Sequence, residues 1–267
     1  MKRQRLCLLG ALAGDMIGAP YEFEGMKSTD FPLFSVYSTL TDDSVLTLAV
    51  ADAILNGRNY LEYIRKYALA YPNSGYGGSF RAWMYSKDPH PYNSFGNGSA
   101  MRVSAVGWAF DTIEDVLREA EASAAVTHNH PEGIKGAQAT ALSIFLARKG
   151  ESKEQIKRDV ATRFGYDLSR TIDEIRPTYE FNEICQETVP QAIIAFLESR
   201  DFEDAVRKAV SLGGDADTLG AITGSIAEAY YGGVPDHIGT EVQRRTPMEL
   251  WAVVDRFSEK FGIQQAR

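Results

Sequence analysis

The stretch Ile134-Lys135-Gly136-Ala137-Gln138-Ala139-Thr140-Ala141-Leu142-Ser143-Ile144-Phe145-Leu146 decides the fold class. Its residues Ile134, Ala137, Ala141, Leu142, Phe145 and Leu146 recur at spacings of three and four, so they share one face of an α-helix. The same period runs outward through Tyr60 to Ala70, Ile113 to Ala122, Val189 to Leu197, Phe202 to Leu212 and Leu250 to Phe261. Pro131 and Pro190 fall where a first helical turn tolerates a missing N–H. Asp201 and Thr246 read as N-caps, and Gly150 and Gly232 as helix stops. No strand-and-hairpin alternation interrupts the pattern. The chain therefore reads as all-α, a single domain over residues 1–267 with ten or more helices and no repeat.

Composition narrows the function classes. A net charge of −8 over 267 residues argues against general nucleic-acid binding and against attraction to anionic membranes. Cys7 and Cys185 lie in unrelated contexts, suit a reducing compartment and cannot build a thiolate zinc site. Lys2-Arg3-Gln4-Arg5 followed by Leu6 to Ala19 mimics a secretory leader, but Asp15 interrupts it and Gly10, Gly14 and Gly18 keep a helical spacing. The run is also shorter than the ~18 apolar residues that a membrane span needs. It reads as a buried first helix whose glycine stripe admits a second helix, in a cytoplasmic, monomeric protein with no membrane association.

Three long stretches lack helical period: about Pro20 to Leu40, Tyr71 to Asn97 and Tyr166 to Glu183. Compact domains keep most connections short, so loops of this length are expected to carry function or motion.

Two acidic clusters open runs of small and apolar residues. One is Thr41-Asp42-Asp43-Ser44 before Val45 to Leu55; the other is Gly213-Gly214-Asp215-Ala216-Asp217-Thr218 before Leu219 to Tyr231. Neither has a Lys or Arg close by in sequence. For the first, a Thr cap followed by acids at the helix dipole is an equally good account. That account is weaker for the second, where two acids follow a glycine pair. Together, carboxylates and Thr hydroxyls form an oxygen-only donor set, which suits Mg²⁺, Mn²⁺ or Ca²⁺. The EF-hand spacing is absent.

Gly75-Tyr76-Gly77-Gly78 exposes backbone N–H groups, and a helix over Ser79 to Tyr85 would turn its N-terminus toward a phosphate; a plain turn explains the glycines as well. Gly96-Asn97-Gly98-Ser99-Ala100-Met101-Arg102 opens a second small-residue helix, Ala100 to Phe110. Arg102 reads either as a phosphate ligand or as the partner of a buried acid. His128 and His130 are poorly spaced for joint metal ligation, and a hydrogen-bonding role at a helix start fits them better. Trp83, Tyr92 and Phe95 could stack on a base, though aromatics are more often core.

These motifs, in this order from Leu6 to Tyr231, resemble those of the ADP-ribosylglycohydrolases. The matching stretches are Gly10-Ala11-Leu12-Ala13-Gly14-Asp15 with Pro20-Tyr21-Glu22, Thr41-Asp42-Asp43, Gly75-Tyr76-Gly77-Gly78, Gly96 to Arg102, Thr127-His128 and Gly213 to Thr218. The resemblance implies a compact orthogonal multi-helix bundle with two divalent cations, Mg²⁺ or Mn²⁺. It assigns Thr41, Asp42, Asp43, Asp215, Asp217 and Thr218 as metal ligands, with Asp42, Asp43, Asp217 and Glu22 carrying catalysis. Glu22 matches a glutamate that binds a metal or covers the site. Gly75, Tyr76, Gly77, Gly78 and Ser79 would hold the diphosphate. Ser94, Phe95, Gly96, Asn97 and Gly98 would line the ribose and adenine side, with His128 nearby. Asp15 would have a supporting role.

Two positions depart from the pattern. Ser44 replaces a common Thr, and Ser94 stands where the nitrogenase-linked branch carries an acid, which weakens transfer of that branch's arginine mechanism; Ser94-Phe95-Gly96-Asn97-Gly98 and the Gly75-Tyr76-Gly77-Gly78 loop resemble the serine-directed type more closely. The implied activity is hydrolysis of the bond between ADP-ribose and an acceptor: a protein side chain or another conjugate. The alternatives are an inactive binding or structural member of the same fold, and a metal phosphohydrolase acting on ADP-ribose.

Overall fold

In the computed structural model, which describes residues 3, 4 and 6–262, the periodic stretches are helices. In chain order they are α1 (Leu9–Gly18), α2 (Asp42–Leu55), α3 (Tyr60–Ala70), α4 (Gly78–Tyr85), α5 (Gly98–Met101), α6 (Ser104–Ala109), α7 (Ile113–Ala125), α8 (Pro131–Arg148), α9 (Lys153–Phe164), α10 (Ile172–Ile175), α11 (Cys185–Leu197), α12 (Phe202–Val210), α13 (Ala216–Tyr231), α14 (Asp236–Arg245) and α15 (Met248–Phe261). A 3-10 turn, Ala19–Tyr21, extends α1. Two short strands, β1 (Arg3–Gln4) and β2 (Val234–Pro235), pair antiparallel. The fold is all-α.

Helix ends follow the local chemistry. Pro131 is the first residue of α8, and His130 caps it by accepting the Glu132 N–H through Nδ1. Asp201 caps α12 through the Asp204 N–H, and α13 stops where Gly232 turns left-handed at φ 73°.

α1 and α13 cross at the centre. A Cβ on Gly14 would lie 1.9 Å from the Gly220 carbonyl oxygen, and one on Gly10 would lie 2.2 Å from that of Gly224. The glycine stripe expected in α1 therefore meets a second one in α13, and the backbones touch. α1 is entirely buried. Lys2 and Arg5 of the basic start lie outside the described residues, and no described helix is long and apolar enough to cross a membrane.

Three boundaries differ from the sequence reading. Pro190 sits inside α11, because the helix begins earlier, at Cys185, whose N–H is held by the Phe95 carbonyl. Thr246 does not cap α15; its hydroxyl donates to the Val242 carbonyl and closes α14, leaving Pro247 to start α15. The single helix expected over Ala100 to Phe110 is two, α5 and α6, broken at Arg102-Val103 where the Arg102 side chain reaches α7.

Candidate active site

The close α1–α13 crossing brings the two acidic clusters, far apart in sequence, to one cleft. Thr41 caps α2: its hydroxyl oxygen accepts the Asp43 N–H at 3.2 Å. That N-terminus is tied to α1 by Asp15, which accepts from the Thr41 N–H (3.0 Å), the Thr41 hydroxyl (2.8 Å), the Ser44 N–H (3.1 Å) and the Ser44 hydroxyl. The Asp42 N–H donates to the Ser74 carbonyl at 2.7 Å, which joins α2 to the glycine loop.

On the other side, Asp215 accepts from the Asn97 side-chain amide at 2.7 Å. The Thr218 hydroxyl lies 3.4 Å from Asp43 Oδ2, so the clusters meet. Glu22, just after the 3-10 turn, completes the group. Carboxylate oxygens of Glu22, Asp215 and Asp217 all lie within 4.8 Å of one another.

Burial dominates the electrostatics. It raises Asp43 and Asp215 well above the ordinary carboxylate range, and in both the Asp217 charge adds to it. Burial, then the Asp15 charge, lifts Asp42 to about 8. Burial, then the charges of Asp215, Glu183 and Asp15, lifts Glu22 to about 7. Burial lifts Asp217 to about 7. Like charges buried together favour proton or cation uptake.

The cleft has a volume of about 230 Å³. Its floor is acidic, and one wall is the glycine loop at the start of α4. Gly75 takes φ 99°, where a side chain would be strained, and a Cβ on Gly77 or Gly78 would project into open space. The facing wall is Ser94 to Gly98 with His128, whose Nε2 would lie 3.1 Å from a Cβ at Gly98.

A model of the family described as ADP-ribosylglycohydrolase matches residues 1–267. The chain belongs to the ADP-ribosylglycohydrolase family. It is 28% identical to the ADP-ribosylhydrolase ARH3 of Mus musculus, over 87% of this chain and 84% of that protein. It is 26% identical to the ADP-ribosylarginine hydrolase Tri1 of Pseudomonas putida, over 87% of this chain and 71% of that one. An ADP-ribosylglycohydrolase-related protein complex of solved structure matches with a TM-score of 0.71 at 26% identity, covering 95% of each chain.

Most of the residues the sequence singled out line the cleft: Glu22, Asp42, Asp43, Gly75, Gly77, Gly78, Ser79, Ser94, Gly96, Asn97, Gly98, His128, Asp215, Asp217 and Thr218. Three lie off its lining. The Thr41 hydroxyl is engaged with Asp15 and the Asp43 N–H. Tyr76 turns inward and stacks on Phe80 at 5.1 Å. Phe95 packs 5.3 Å from His130 at the exposed surface.

Trp83 is core, packed on Phe80. Tyr92 lines the cleft beside His128. Arg102 lines the cleft and makes no salt bridge to a carboxylate among the described residues; its Nη2 donates to the Ser123 carbonyl and the Thr127 hydroxyl, while Nε and Nη1 have no hydrogen-bond partner among those residues. Glu183, which the sequence reading missed, lines the cleft at the end of the third long stretch. The Asn97 N–H donates to its carbonyl at 2.8 Å. Its position in an irregular segment was the available signal.

The donor set fits hard divalent cations. Asp43 Oδ1 is buried with no hydrogen-bond partner among the described residues. No salt bridge among the described residues involves Glu22, Asp42, Asp43, Asp215 or Asp217. Every donor is an oxygen, and an orphaned buried carboxylate oxygen is the position a cation relieves.

Proposed function

We propose that this chain is a metal-dependent hydrolase of the bond between ADP-ribose and an acceptor, a side chain of an ADP-ribosylated protein or a related conjugate. The observation that carries this reading is the convergence of Glu22, Asp215 and Asp217 within 4.8 Å, on the floor of a cleft walled by the Gly75–Gly78 loop. The names of the relatives, ADP-ribosylhydrolase ARH3 and ADP-ribosylarginine hydrolase Tri1, support the substrate class. In this reading residues 1–267 work as one domain.

Asp42, Asp43, Asp215, Asp217, Thr41 and Thr218 would hold two ions, Mg²⁺ or Mn²⁺, with Glu22 beside them. When bound, such a pair supplies Lewis acidity that polarises ribose oxygens and eases deprotonation of a water. The protein does the rest. The α4 N-terminus and the loop amides bind the diphosphate, which is remote from the reacting bond, so they contribute orientation and uniform binding. Asn97, fixed by its bonds to Asp215 and the Thr188 hydroxyl, links the ligand wall to the acidic floor. Glu22, on a loop beside the acidic floor, moves a proton between water and the departing acceptor.

A panel of defined ADP-ribosyl conjugates, each assayed with EDTA and after restoring Mg²⁺ or Mn²⁺, tests the proposal. The expected result is metal-dependent release of ADP-ribose from at least one conjugate. Release from none favours a binding protein, and release of AMP or phosphate from ADP-ribose favours a phosphohydrolase.

A further inference from the structure

We propose that Arg102 and Thr127 form a relay that fixes the single proton of His128 on Nε2, so that the ring presents an N–H donor to the cleft. Arg102 is fully buried at the break between α5 and α6. Its Nη2 donates to the Ser123 carbonyl at 2.9 Å and to the Thr127 hydroxyl oxygen at 2.9 Å. A guanidinium only donates, so Thr127 Oγ1 accepts in that bond.

The same oxygen lies 2.7 Å from His128 Nδ1. Among the described residues the Thr127 hydroxyl has no other hydrogen-bond partner, so its own proton goes to Nδ1. Nδ1 then accepts and is bare, which leaves the ring proton on Nε2. The opposite tautomer would send two donors into Oγ1 and strand a buried hydroxyl proton. Burial, reinforced by the Arg102 charge, keeps the imidazole neutral. The bare-Nδ1 ring therefore carries one proton, on the nitrogen that faces Gly96 and Gly98.

The consequence is specificity for ligand chemistry. An N–H at this wall donates to a hydroxyl or phosphate oxygen and offers no lone pair to an ammonium group. That the oxygen belongs to ADP-ribose rests on the proposed function; the relay does not. Arg102 and Thr127 are positioning residues, since they act through His128.

Long-range ¹H–¹⁵N correlation spectra of the labelled whole protein test the relay, with His128→Gln used to assign the ring among the four histidines. Wild type should show a bare Nδ1 and a protonated Nε2 at neutral pH. Thr127→Val, similar in shape but without the hydroxyl, should move the ring toward a tautomer mixture and weaken ADP-ribose binding by about tenfold. A wild-type ring protonated on Nδ1, or a Thr127→Val spectrum identical to wild type, overturns the relay. A wild-type protein with the expected tautomer that fails to bind ADP-ribose supports the relay and overturns the functional reading.

Discussion

Glu228 on α13 is a fully buried carboxyl with no cationic partner among the described residues, and replacing it with Gln should change how stability depends on pH. Its Oε2 accepts the Gly10 N–H at 3.0 Å, and the Leu8 and Leu9 amides also lower its pKa. α1 lacks a side-chain cap of its own, because Leu8 at its start is left-handed and offers none. Glu228 supplies that cap from across the crossing. Burial nevertheless wins over these bonds and raises the group from 4.5 to about 8.

The raised value sets the sign. A carboxyl bound more tightly to its proton in the folded state stabilises most below the unfolded pKa, and that stability is lost as pH rises toward the folded one. Across pH 5 to 8 the loss comes to roughly 3 to 4 kcal/mol, from 1.36 kcal/mol per unit of differential protonation. Glutamine keeps the acceptor oxygen that takes the Gly10 N–H beside a donor group, as the protonated acid does, and does not titrate. Glu228→Gln should therefore sit within about 1 kcal/mol of wild type at pH 5 and exceed it by about 3 kcal/mol at pH 8. Urea denaturation of both proteins at the two pH values, with EDTA throughout, measures the difference. An equal change with pH in wild type and variant would refute the reasoning, because the carboxyl would then be ionised at no cost.

Further expectations concern the cleft. Asp217→Ala should lower kcat for ADP-ribose release by at least about 10³-fold, the scale on which positioned charge matters in hydrolysis; normal turnover would sink the metal-site model. Glu22→Gln should slow turnover while leaving ADP-ribose affinity, read by calorimetry, within about threefold. Asp15→Ala removes the acceptor of two backbone amides and two hydroxyls at the start of α2 and should cost about 2 to 6 kcal/mol, counting the two amides that cannot rotate away. A denaturation midpoint equal to wild type would contradict that anchoring role. Gly14→Val pushes a side chain into the Gly220 backbone, which has no rotamer to yield, so about 3 kcal/mol or more of stability should be lost.

Much of this was legible because it is local. The three-and-four spacing from Ile134 to Leu146 shows a helix on its face, and Gly10, Gly14 and Gly18 announce a close crossing without naming the partner. The two acidic clusters could be read as oxygen donors without a basic neighbour in sequence, and no salt bridge among the described residues reaches them. Less legible were features set by neighbours distant in sequence. Pro190 looks like a helix start until the Phe95 carbonyl fixes Cys185 as an earlier one, and Ala100 to Phe110 looks continuous until Arg102 reaches across to α7.

The sequence by itself determined the helical class, the two acidic clusters and the glycine loop, since each depends on spacings of a few residues and on side-chain chemistry. Only the tertiary structure decided that Glu22 joins Asp215 and Asp217 and that Tyr76 and Phe95 turn away from the cleft. It alone tied Arg102 to Thr127 and His128 and placed Glu228 over the start of α1. The physical reason is that periodicity specifies which face of a helix is buried, whereas the partner it meets is set by packing between helices, here by two glycine stripes that let α1 and α13 touch.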